Sequence, residues 1–342
     1  MPQRATIVMY HFVRDLERSR YPEIKGLSLS GFREQLAYIN RYYTPIKMEE
    51  LIEAAVSSHV DLPQNAVLLT FDDGYLDHFT NVFPILDESG IQGSFFPPAK
   101  AISEHRVLDV NKIHFVLASV QDKSKIIEHL NEEIKANKER FTLQTPDYYY
   151  KKLAVPNRYD TAEVVFIKRA LQRDLPEAFR SKMIDGLFRE FVTQDEAAFS
   201  VELYMSQEQL ACMRRHGMYI GSHGYDHYWF NTLDRKAQES EIDKSLAFLS
   251  QLGCSAENWV MCYPYGGYND SLIAVLNARG CRIGLTTDVA IADLESYNPL
   301  ALPRLDTNDM PKQGSAAPNE WTLRALNNPS LEASGSSLSI AE

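Results

Sequence analysis

Short apolar runs alternate with amphipathic runs along most of the chain. Residues 66–71 form a continuous apolar run, the pattern of a strand that is buried on both faces of a sheet. Phe32, Leu36 and Ile39 instead recur at the spacing of one helix face, which predicts a helix around them. The same reasoning predicts strands at residues 6–10, 94–96, 218–221, 259–263 and 282–286, and helices at residues 48–56, 77–88, 234–252 and 269–279.

This alternation of strands and helices predicts an α/β fold. Strands joined through helices normally run parallel, with right-handed crossovers. An open doubly wound sheet and a β/α barrel both satisfy that rule. No glycine-rich phosphate loop of the GxGxxG or GxxxxGKS/T type follows a predicted strand, which disfavours a nucleotide-binding open sheet. We therefore expect a barrel.

The strand–helix pattern breaks over residues 99–203. This stretch is charged, helical in its period and poor in strand signals, so we expect a helical insertion subdomain. The barrel would then be built from residues 1–98 and 204–305. Residues 306–342 are polar with many small side chains, which predicts a mobile C-terminal extension.

Composition and charge narrow the class of protein. The 342 residues are 44% hydrophobic and 24% charged, as in an ordinary globular chain. A net charge of −11 disfavours nucleic acid or an anionic membrane as the main partner. We find no apolar run long enough to span a membrane and no signal peptide, so we expect a cytoplasmic protein without a transmembrane segment. The four cysteines form no CxxC pair, which indicates reduced, mostly buried thiols.

Reactive side chains follow several of the predicted strands. His11 follows residues 6–10, Asp72 and Asp73 follow residues 66–71, and a histidine pair follows residues 218–221. In β/α barrels the chemistry is located at the carboxyl ends of the strands. We therefore expect these side chains to meet at one rim of the barrel.

The residue types indicate a metal site, although each motif has a plainer interpretation. His223 and His227 are four residues apart, so one helical turn would direct both rings to the same side. Two imidazoles with a carboxylate are a common set of ligands for a divalent cation. In that case one of the adjacent aspartates binds the cation and the other acts as a base. The alternatives are a solvated turn at Gly74 and two unrelated surface histidines.

Three motifs in this order resemble a known family. TFDDG at residues 70–74, SHGYDH at 222–227 and YPYG at 263–266 resemble the polysaccharide deacetylases, the NodB homology or carbohydrate esterase family 4 superfamily. The resemblance covers the first hundred residues and about 204–304. It implies a deformed (β/α)7 barrel, with the helical insertion between the two metal motifs, and metal-dependent removal of an N- or O-acetyl group from an amino sugar.

The resemblance also implies the role of each site residue. Asp72 would be the general base, acting on metal-bound water. The metal ligands would be Asp73, His223 and His227. Pro264 and Tyr265 would shape the groove, with the Tyr265 backbone N–H facing the oxyanion. Zinc is the first expectation for the metal, and the same ligands also suit cobalt, nickel or iron.

This sequence departs from the family pattern at several positions. Gly224 replaces the serine or threonine that many members carry after the first metal histidine, and Cys262 replaces an arginine. No histidine follows His227, so the usual C-terminal general acid is absent from the sequence. His11, in an N-terminal MYH segment like that of a permuted group of relatives, is our candidate for the acid. Arg304 is a weaker candidate for the charge that orients the base.

The substrate and the class of protein leave alternatives open. Aromatic residues near the motifs, Tyr75 among them, would stack on sugar rings, and the expected partner is an N-acetylated sugar or glycan precursor. One alternative is a related amidase that acts on a non-sugar amide or cyclic imide. The other is a catalytically silent sugar-binding module. Cys262 favours the silent module, and the full set of aspartates and histidines disfavours it.

Overall fold

The computed structural model of the chain describes residues 3–57, 60–157 and 160–326. It divides into two compact units. The first, here called the barrel unit, comprises the described parts of Met1–Arg14, Gly26–Ser103 and Leu203–Glu342. The second, here called the helical unit, comprises the described parts of Asp15–Lys25 and Glu104–Glu202. The helices predicted for residues 99–203 fall mostly in this second unit.

The strands of the described chain are short, and the longest form the centre of a parallel sheet. The central strand, β5 (Ala66–Asp72), is buried at every residue, as its continuous apolar run predicts. The strands are β1 (Arg4–Tyr10), β2 (Val13–Arg14), β3 (Leu27–Ser28), β4 (Thr44–Pro45), β5 (Ala66–Asp72), β6 (Gly93–Phe96), β7 (Tyr219–Ile220), β8 (Trp259–Cys262), β9 (Cys281–Leu285), β10 (Ala292–Asp293) and β11 (Leu305–Asp306).

Seven of these strands follow one another around a closed, irregular ring. The order β1, β5, β6, β7 is continuous and parallel. A parallel bridge between Ser222 and Met261 continues it to β8, which pairs with β9. A bridge between Leu285 and Leu302 then leads to β11, which pairs with β1 at Val8. This ring is the deformed (β/α)7 barrel, so the predicted fold class is confirmed. Strand β10 pairs antiparallel with β1 outside the ring.

Most helices of the barrel unit lie between successive strands, and the last one follows β11. Apolar side chains of α2 form one cluster with β1, β5, β8 and β9, and those of α12 and α13 form another with β8 and β9. These helices are α1 (Leu29–Tyr42), α2 (Met48–Val56), α3 (Phe83–Ser89), α4 (Ala99–Ser103), α11 (Gln207–Arg215), α12 (Arg235–Gln251), α13 (Asp270–Ala278) and α14 (Glu320–Ala325). No helix among the described residues is both long and apolar enough to cross a membrane.

The helical unit is built on amphipathic helices with buried apolar stripes. In α6, Ile126, Leu130 and Ile134 recur every four residues and are fully buried. Lys112 in α5 is also buried, and its ammonium contacts the carboxylates of Asp185 and Glu196. The helices are α5 (Asp109–Ser119), α6 (Ser124–Ala136), α7 (Pro146–Leu153), α8 (Ala162–Arg169), α9 (Glu177–Phe191) and α10 (Glu196–Leu203).

The described part of the C-terminal extension differs from the mobile tail that its composition predicts. Residues 306–326 include the end of β11 and helix α14, and they contact α1. The Gln35 amide donates to the backbone oxygens of Thr307 and Met310 at 2.8 Å and 3.1 Å. The Tyr38 hydroxyl is 2.7 Å from that of Thr322. Polar side chains of α1 therefore hold a segment that has few apolar residues of its own. The rest of the predicted tail, residues 327–342, lies outside the described residues.

Candidate metal centre and active site

The parallel register of the barrel brings the ends of β1 and β5 together. Tyr10 pairs with Phe71, so His11 and Asp72 are the next residues on adjacent strands. The charge of His11 lowers the pKa of both Asp72 and Asp73, behind the effects of burial and of other partners. His11, Asp72 and Asp73 therefore lie at one rim of the barrel, as expected.

A tight turn at the end of β5 directs the carboxylate of Asp73 into the barrel rim. Asp73 adopts a left-handed backbone with φ of 72°, and Gly74 follows with φ of 66°. A side chain at Gly74 would lie 2.8 Å from Cβ of Pro97, so the turn requires glycine there. The Tyr75 hydroxyl donates to Oδ2 of Asp73 at 2.5 Å. The buried Oδ1 of Asp73 has no hydrogen-bond partner among the described residues.

The two predicted histidine ligands converge on that oxygen atom. Nε2 of His223 lies 3.4 Å from Oδ1 of Asp73, and Nε2 of His227 lies 3.3 Å from it. The expected helical turn is wrong, because residues 221–229 are all described and contain no helix. Left-handed residues at Gly224 and His227, with φ of 75° and 57°, curl the loop instead and bring both rings to one side.

The donor atoms of these three residues fit a divalent cation. The carboxylate oxygen and the two imidazole nitrogens lie within 4.8 Å of one another, and all three residues are buried. Nδ1 of His223 donates to the Cys262 backbone oxygen at 2.7 Å, so Nε2 is the atom that faces Asp73. Burial would lower the pKa of this ring, but Cys262 and the carboxylate of Asp73 raise it, so a cation would bind Nε2 by displacing its proton. Burial lowers the pKa of His227, which favours its neutral, metal-binding form. A buried oxygen without a hydrogen bond beside two imidazole nitrogens is the chemistry of a metal site.

Asp72, His223 and Cys262 form a second group with metal-binding donors. In this group, burial raises the pKa of the Cys262 thiol, so the thiol keeps its proton near neutral pH. Asp72 already has a cationic partner in Arg304. The group around Asp73 is therefore the better candidate metal centre.

Arg304 binds the carboxylate of Asp72 from inside the barrel. Its Nη1 and Nη2 atoms lie 2.9 Å and 2.8 Å from the two Asp72 oxygens, and its Nε donates to the Thr286 backbone oxygen at 2.8 Å. Burial would raise the pKa of Asp72, but the charge and hydrogen bonds of Arg304 lower it to about 2. Asp72 is therefore ionised at neutral pH. From the sequence alone, Arg304 was a weaker candidate for the charge that orients the base, because the LPRLD segment does not indicate its partner.

His78 is a residue at this rim that the sequence analysis did not single out. It is fully buried, and its Nε2 donates to the His11 backbone oxygen at 2.8 Å. Burial lowers the pKa of His78 to about 4, so the ring is neutral. This hydrogen bond fixes the main chain at the end of β1, where His11 is located. The place of His78 within the predicted helix 77–88 gave no signal of this contact, which depends on the fold.

Comparison with known proteins decides the family. The family model described as "Polysaccharide deacetylase" matches residues 59–159 and 183–284, more than half of the chain. The chain belongs to the polysaccharide deacetylase family. Our interpretation of the TFDDG and SHGYDH motifs is thereby confirmed at the level of the family.

Individual similar proteins share smaller parts of the sequence. Poly-beta-1,6-N-acetyl-D-glucosamine N-deacetylase of Escherichia coli K12 is 45% identical over 80 residues, which are 23% of this chain and 12% of that protein. A further match, in Bacillus subtilis, is 29% identical over 26% of this chain and 32% of that protein. The aligned segments thus span a third or less of these relatives.

Two solved structures share the fold across most of the chain. The Streptococcus pyogenes deacetylase PplD, in complex with acetate, is 18% identical, with a TM-score of 0.56 over 91% of this chain and 96% of that one. IcaB from Ammonifex degensii is 17% identical, with a TM-score of 0.53 over 94% and 96%. Identities this low show the fold alone.

Three further predicted site residues lie beside the candidate metal centre. Pro264 is buried, and Tyr265 follows it with a left-handed backbone at φ of 57°. The Tyr265 ring packs against His227, with centroids 4.8 Å apart, and stacks on Trp229 at 4.5 Å. Tyr75 was expected to face a sugar, and that expectation is wrong. It is 1% exposed and stacked on Phe12, so its hydroxyl orients Asp73 instead.

Proposed function

We propose that this protein is a metal-dependent hydrolase that removes the N-acetyl group from an amino sugar in a glycan. The observation that carries the proposal is the convergence of His223 and His227 on Oδ1 of Asp73, next to an ionised carboxylate at Asp72. A cation site and a base side by side are the two parts that amide hydrolysis by water requires. Membership of the deacetylase family supports the same reaction.

Three residues are the proposed ligands of the metal ion. Asp73, His223 and His227 would hold one divalent ion, and a carboxylate with two imidazoles suits zinc best. Such an ion, when bound, lowers the pKa of water and polarises a carbonyl group. Tyr75 keeps Asp73 in place through the hydrogen bond to Oδ2. The Cys262 backbone oxygen does the same for the ring of His223.

Asp72 is the proposed general base. Arg304 keeps its carboxylate ionised and fixes its orientation through a hydrogen bond from Nη1 to Oδ1 and an ion-pair contact between Nη2 and Oδ2. An ionised, oriented carboxylate accepts a proton from the attacking water without first losing one of its own. The low pKa makes it a weak base, so its contribution comes from position as much as from basicity.

His11 is the proposed general acid. It lies at the end of β1, beside Asp72, and is partly exposed, so it can reach a bound substrate. The C–N bond of the amide breaks as the nitrogen leaves with the electron pair, and His11 would supply the proton that this nitrogen takes up. The backbone N–H of Tyr265 would donate to the oxygen that becomes negatively charged.

The proposed substrate is a β-linked polymer of N-acetylglucosamine. The Escherichia coli relative acts on poly-β-1,6-N-acetyl-D-glucosamine by its name, and it is 45% identical over the matched segment. Trp229 and Tyr265, both partly exposed and stacked beside His227, offer an aromatic surface of the kind that sugar rings bind. An O-acetyl ester at the same position would undergo the same attack.

The silent sugar-binding module loses its main support. Cys262 suggested that no charge would orient the base, but Arg304 occupies that role from another part of the chain. A binding module needs no ionised carboxylate beside a candidate metal site. The other alternative, hydrolysis of a non-sugar amide or cyclic imide, is tested by the same experiment as the sugar substrate.

The test is hydrolysis of a panel of compounds by the zinc-loaded protein, followed as acetate release from the acetylated sugars and as ring opening of the cyclic imides. The panel contains β-1,6- and β-1,4-linked N-acetylglucosamine oligomers, an O-acetylated sugar and small cyclic imides. We expect release from the β-1,6 oligomers that the Asp72→Asn variant, prepared in parallel, does not show. Hydrolysis of the imides alone would contradict the sugar substrate, and glycan binding without acetate release by either protein would favour the silent module.

A further inference from the structure

The loop between the two proposed histidine ligands is held by hydrogen bonds rather than by regular secondary structure. Within residues 222–227 the backbone turns twice through left-handed conformations, at Gly224 and His227. Such a loop holds one shape when its own polar groups are satisfied by partners from outside it. The groups that supply these hydrogen bonds therefore keep the two imidazoles together.

Helix α12 supplies several of these partners from one buried polar stripe. Gln238, Glu241 and Ser245 are spaced three and four residues apart, so they lie on one helix face. All three are buried, with exposures of 0%, 6% and 1%. The Gln238 amide donates to the Phe230 backbone oxygen at 2.9 Å, and the Ser245 hydroxyl is 2.7 Å from that of Ser222.

Glu241 makes the central contact of this stripe. Its Oε2 accepts the backbone N–H of Asp226 at 2.8 Å and that of Tyr225 at 3.2 Å, between the two histidines. The Ser222 hydroxyl accepts the backbone N–H of Gly224 at 3.1 Å. Three consecutive N–H groups of the loop therefore point to acceptors that α12 provides or supports.

Helix α4 holds the other side of the same loop. The backbone oxygens of Gly224 and Tyr225 accept the N–H groups of Ala99 and Lys100, at 3.2 Å and 2.9 Å. The Lys100 ammonium pairs with Asp226, the motif carboxylate that the metal group does not use. With α4 on the carbonyl side and Glu241 on the N–H side, the turn is fixed from both directions.

The geometry also accounts for Gly224, where many relatives carry serine or threonine. A Cβ at this position would lie 3.0 Å from the Phe230 ring, in a left-handed backbone that disfavours a side chain. A serine or threonine side chain at position 224 is therefore disfavoured. The Glu241 carboxylate, 3.9 Å from where that Cβ would be, occupies the neighbouring space.

We propose that Glu241 is a positioning residue for the metal centre, whose carboxylate holds the loop so that both histidine Nε2 atoms remain at Asp73. The inference rests on the proposed function, because it assigns a role toward the same cation. A buried carboxylate costs free energy unless hydrogen bonds compensate it, and here the compensating bonds are those that shape the loop. Glu241 itself touches neither the cation site nor the substrate groove in this assignment.

The test compares zinc affinity among variants of one helix, measured by competition with a chelator. Glu241→Leu removes the acceptor, and we expect a loss of roughly 10- to 100-fold in affinity, as for other residues that orient metal ligands. Glu241→Gln keeps an oxygen acceptor of the same reach and should recover most of that loss. Glu239→Leu removes a half-exposed carboxylate of α12 that pairs with Arg235, and its affinity should stay within about twofold of the wild type.

Two controls separate positioning from a general loss of folding. Circular dichroism of each metal-free variant sets a temperature at which the variant is folded, and the visible spectrum of the cobalt-loaded protein reports the ligand geometry. If Glu241→Leu does not fold, Glu241→Asp, which withdraws the carboxylate from the loop, should show the weakened affinity and an altered spectrum. Glutamine rescue of both readouts supports positioning.

The two ways of failing are distinguishable. Wild-type affinity and an unchanged cobalt spectrum in a folded Glu241→Leu or Glu241→Asp variant would overturn the inference and leave the proposed function standing. A wild-type protein that binds no zinc in the same assay would overturn the proposed function, and this inference with it.

Discussion

Both carboxylate oxygens of Asp72 are bound by the guanidinium of Arg304, at 2.9 Å and 2.8 Å, although 232 residues separate the two in the sequence. The pair lies inside the barrel, and neither residue is more than 1% exposed. A planar guanidinium fixes both the charge and the orientation of a carboxylate in a way that a lysine cannot. The proposed base is thus oriented by the residue that immediately precedes β11, the strand that closes the barrel.

Replacing Arg304 should therefore inactivate the protein. In Arg304→Met the buried Asp72 loses its counter-charge, so its pKa rises and it is protonated near neutral pH. We expect acetate release to fall at least about 100-fold, the usual scale for a positioned base. The free energy of unfolding should fall by about 3–5 kcal/mol. Arg279→Met breaks a pair with the more exposed Asp243 and should cost about 1 kcal/mol at most. Wild-type turnover in Arg304→Met would show that the pair is structural only.

The same pair predicts a pH dependence of stability in the metal-free protein. The pKa of Asp72 is about 2 in the folded chain, below its ordinary value of 3.8. The pair therefore contributes its full stability above pH 3.8 and loses it as the pH falls toward 2. Urea unfolding between pH 5 and pH 3 should show a smaller loss of stability in Arg304→Met than in the wild type. Equal slopes for the two proteins would contradict the depressed pKa.

Removing the metal should abolish the reaction without unfolding the barrel. We expect a chelator to stop acetate release and one equivalent of zinc to restore it. Asp72→Asn should keep the zinc and lose turnover, whereas His223→Ala should lose the zinc as well. Metal content after gel filtration, measured beside acetate release, separates these roles. Full activity of metal-stripped protein is the result that the proposal cannot accommodate.

His11→Ala should lower kcat by roughly 10²- to 10⁴-fold, because a positioned general acid contributes on this scale. Zinc content should be unchanged, since the three ligands lie elsewhere. His216, a half-exposed histidine that contacts Asp87, provides the matched control. His216→Ala should behave as the wild type. Near-normal rates in His11→Ala would remove the N-terminal histidine from the mechanism.

Much of the barrel could be predicted because local patterns determine its strands and helices. The buried run at residues 66–71 and the helix at residues 48–56 match β5 and α2 closely. The described part of the C-terminal segment, residues 306–326, differs from the predicted mobile tail because α1 holds it through contacts of Gln35 and Tyr38 that composition does not reveal.

The site was predictable where a motif carries its residues together, and not where the fold supplies the partner. Asp72 and Asp73 are adjacent in TFDDG, so their strand end identified them. The spacing of His223 and His227 indicated the pair but gave the wrong backbone, because periodicity says nothing about left-handed residues. Glu241 and His78 escaped notice because their contacts join distant parts of the sequence.

The most direct test of the account is anomalous X-ray scattering at the zinc absorption edge, from crystals of the zinc-loaded protein. We predict one strong peak, at about 2.0–2.2 Å from Oδ1 of Asp73 and from Nε2 of both His223 and His227. A peak on Cys262 and Asp72 instead, or active crystals with no peak near Asp73, would contradict the proposed metal centre.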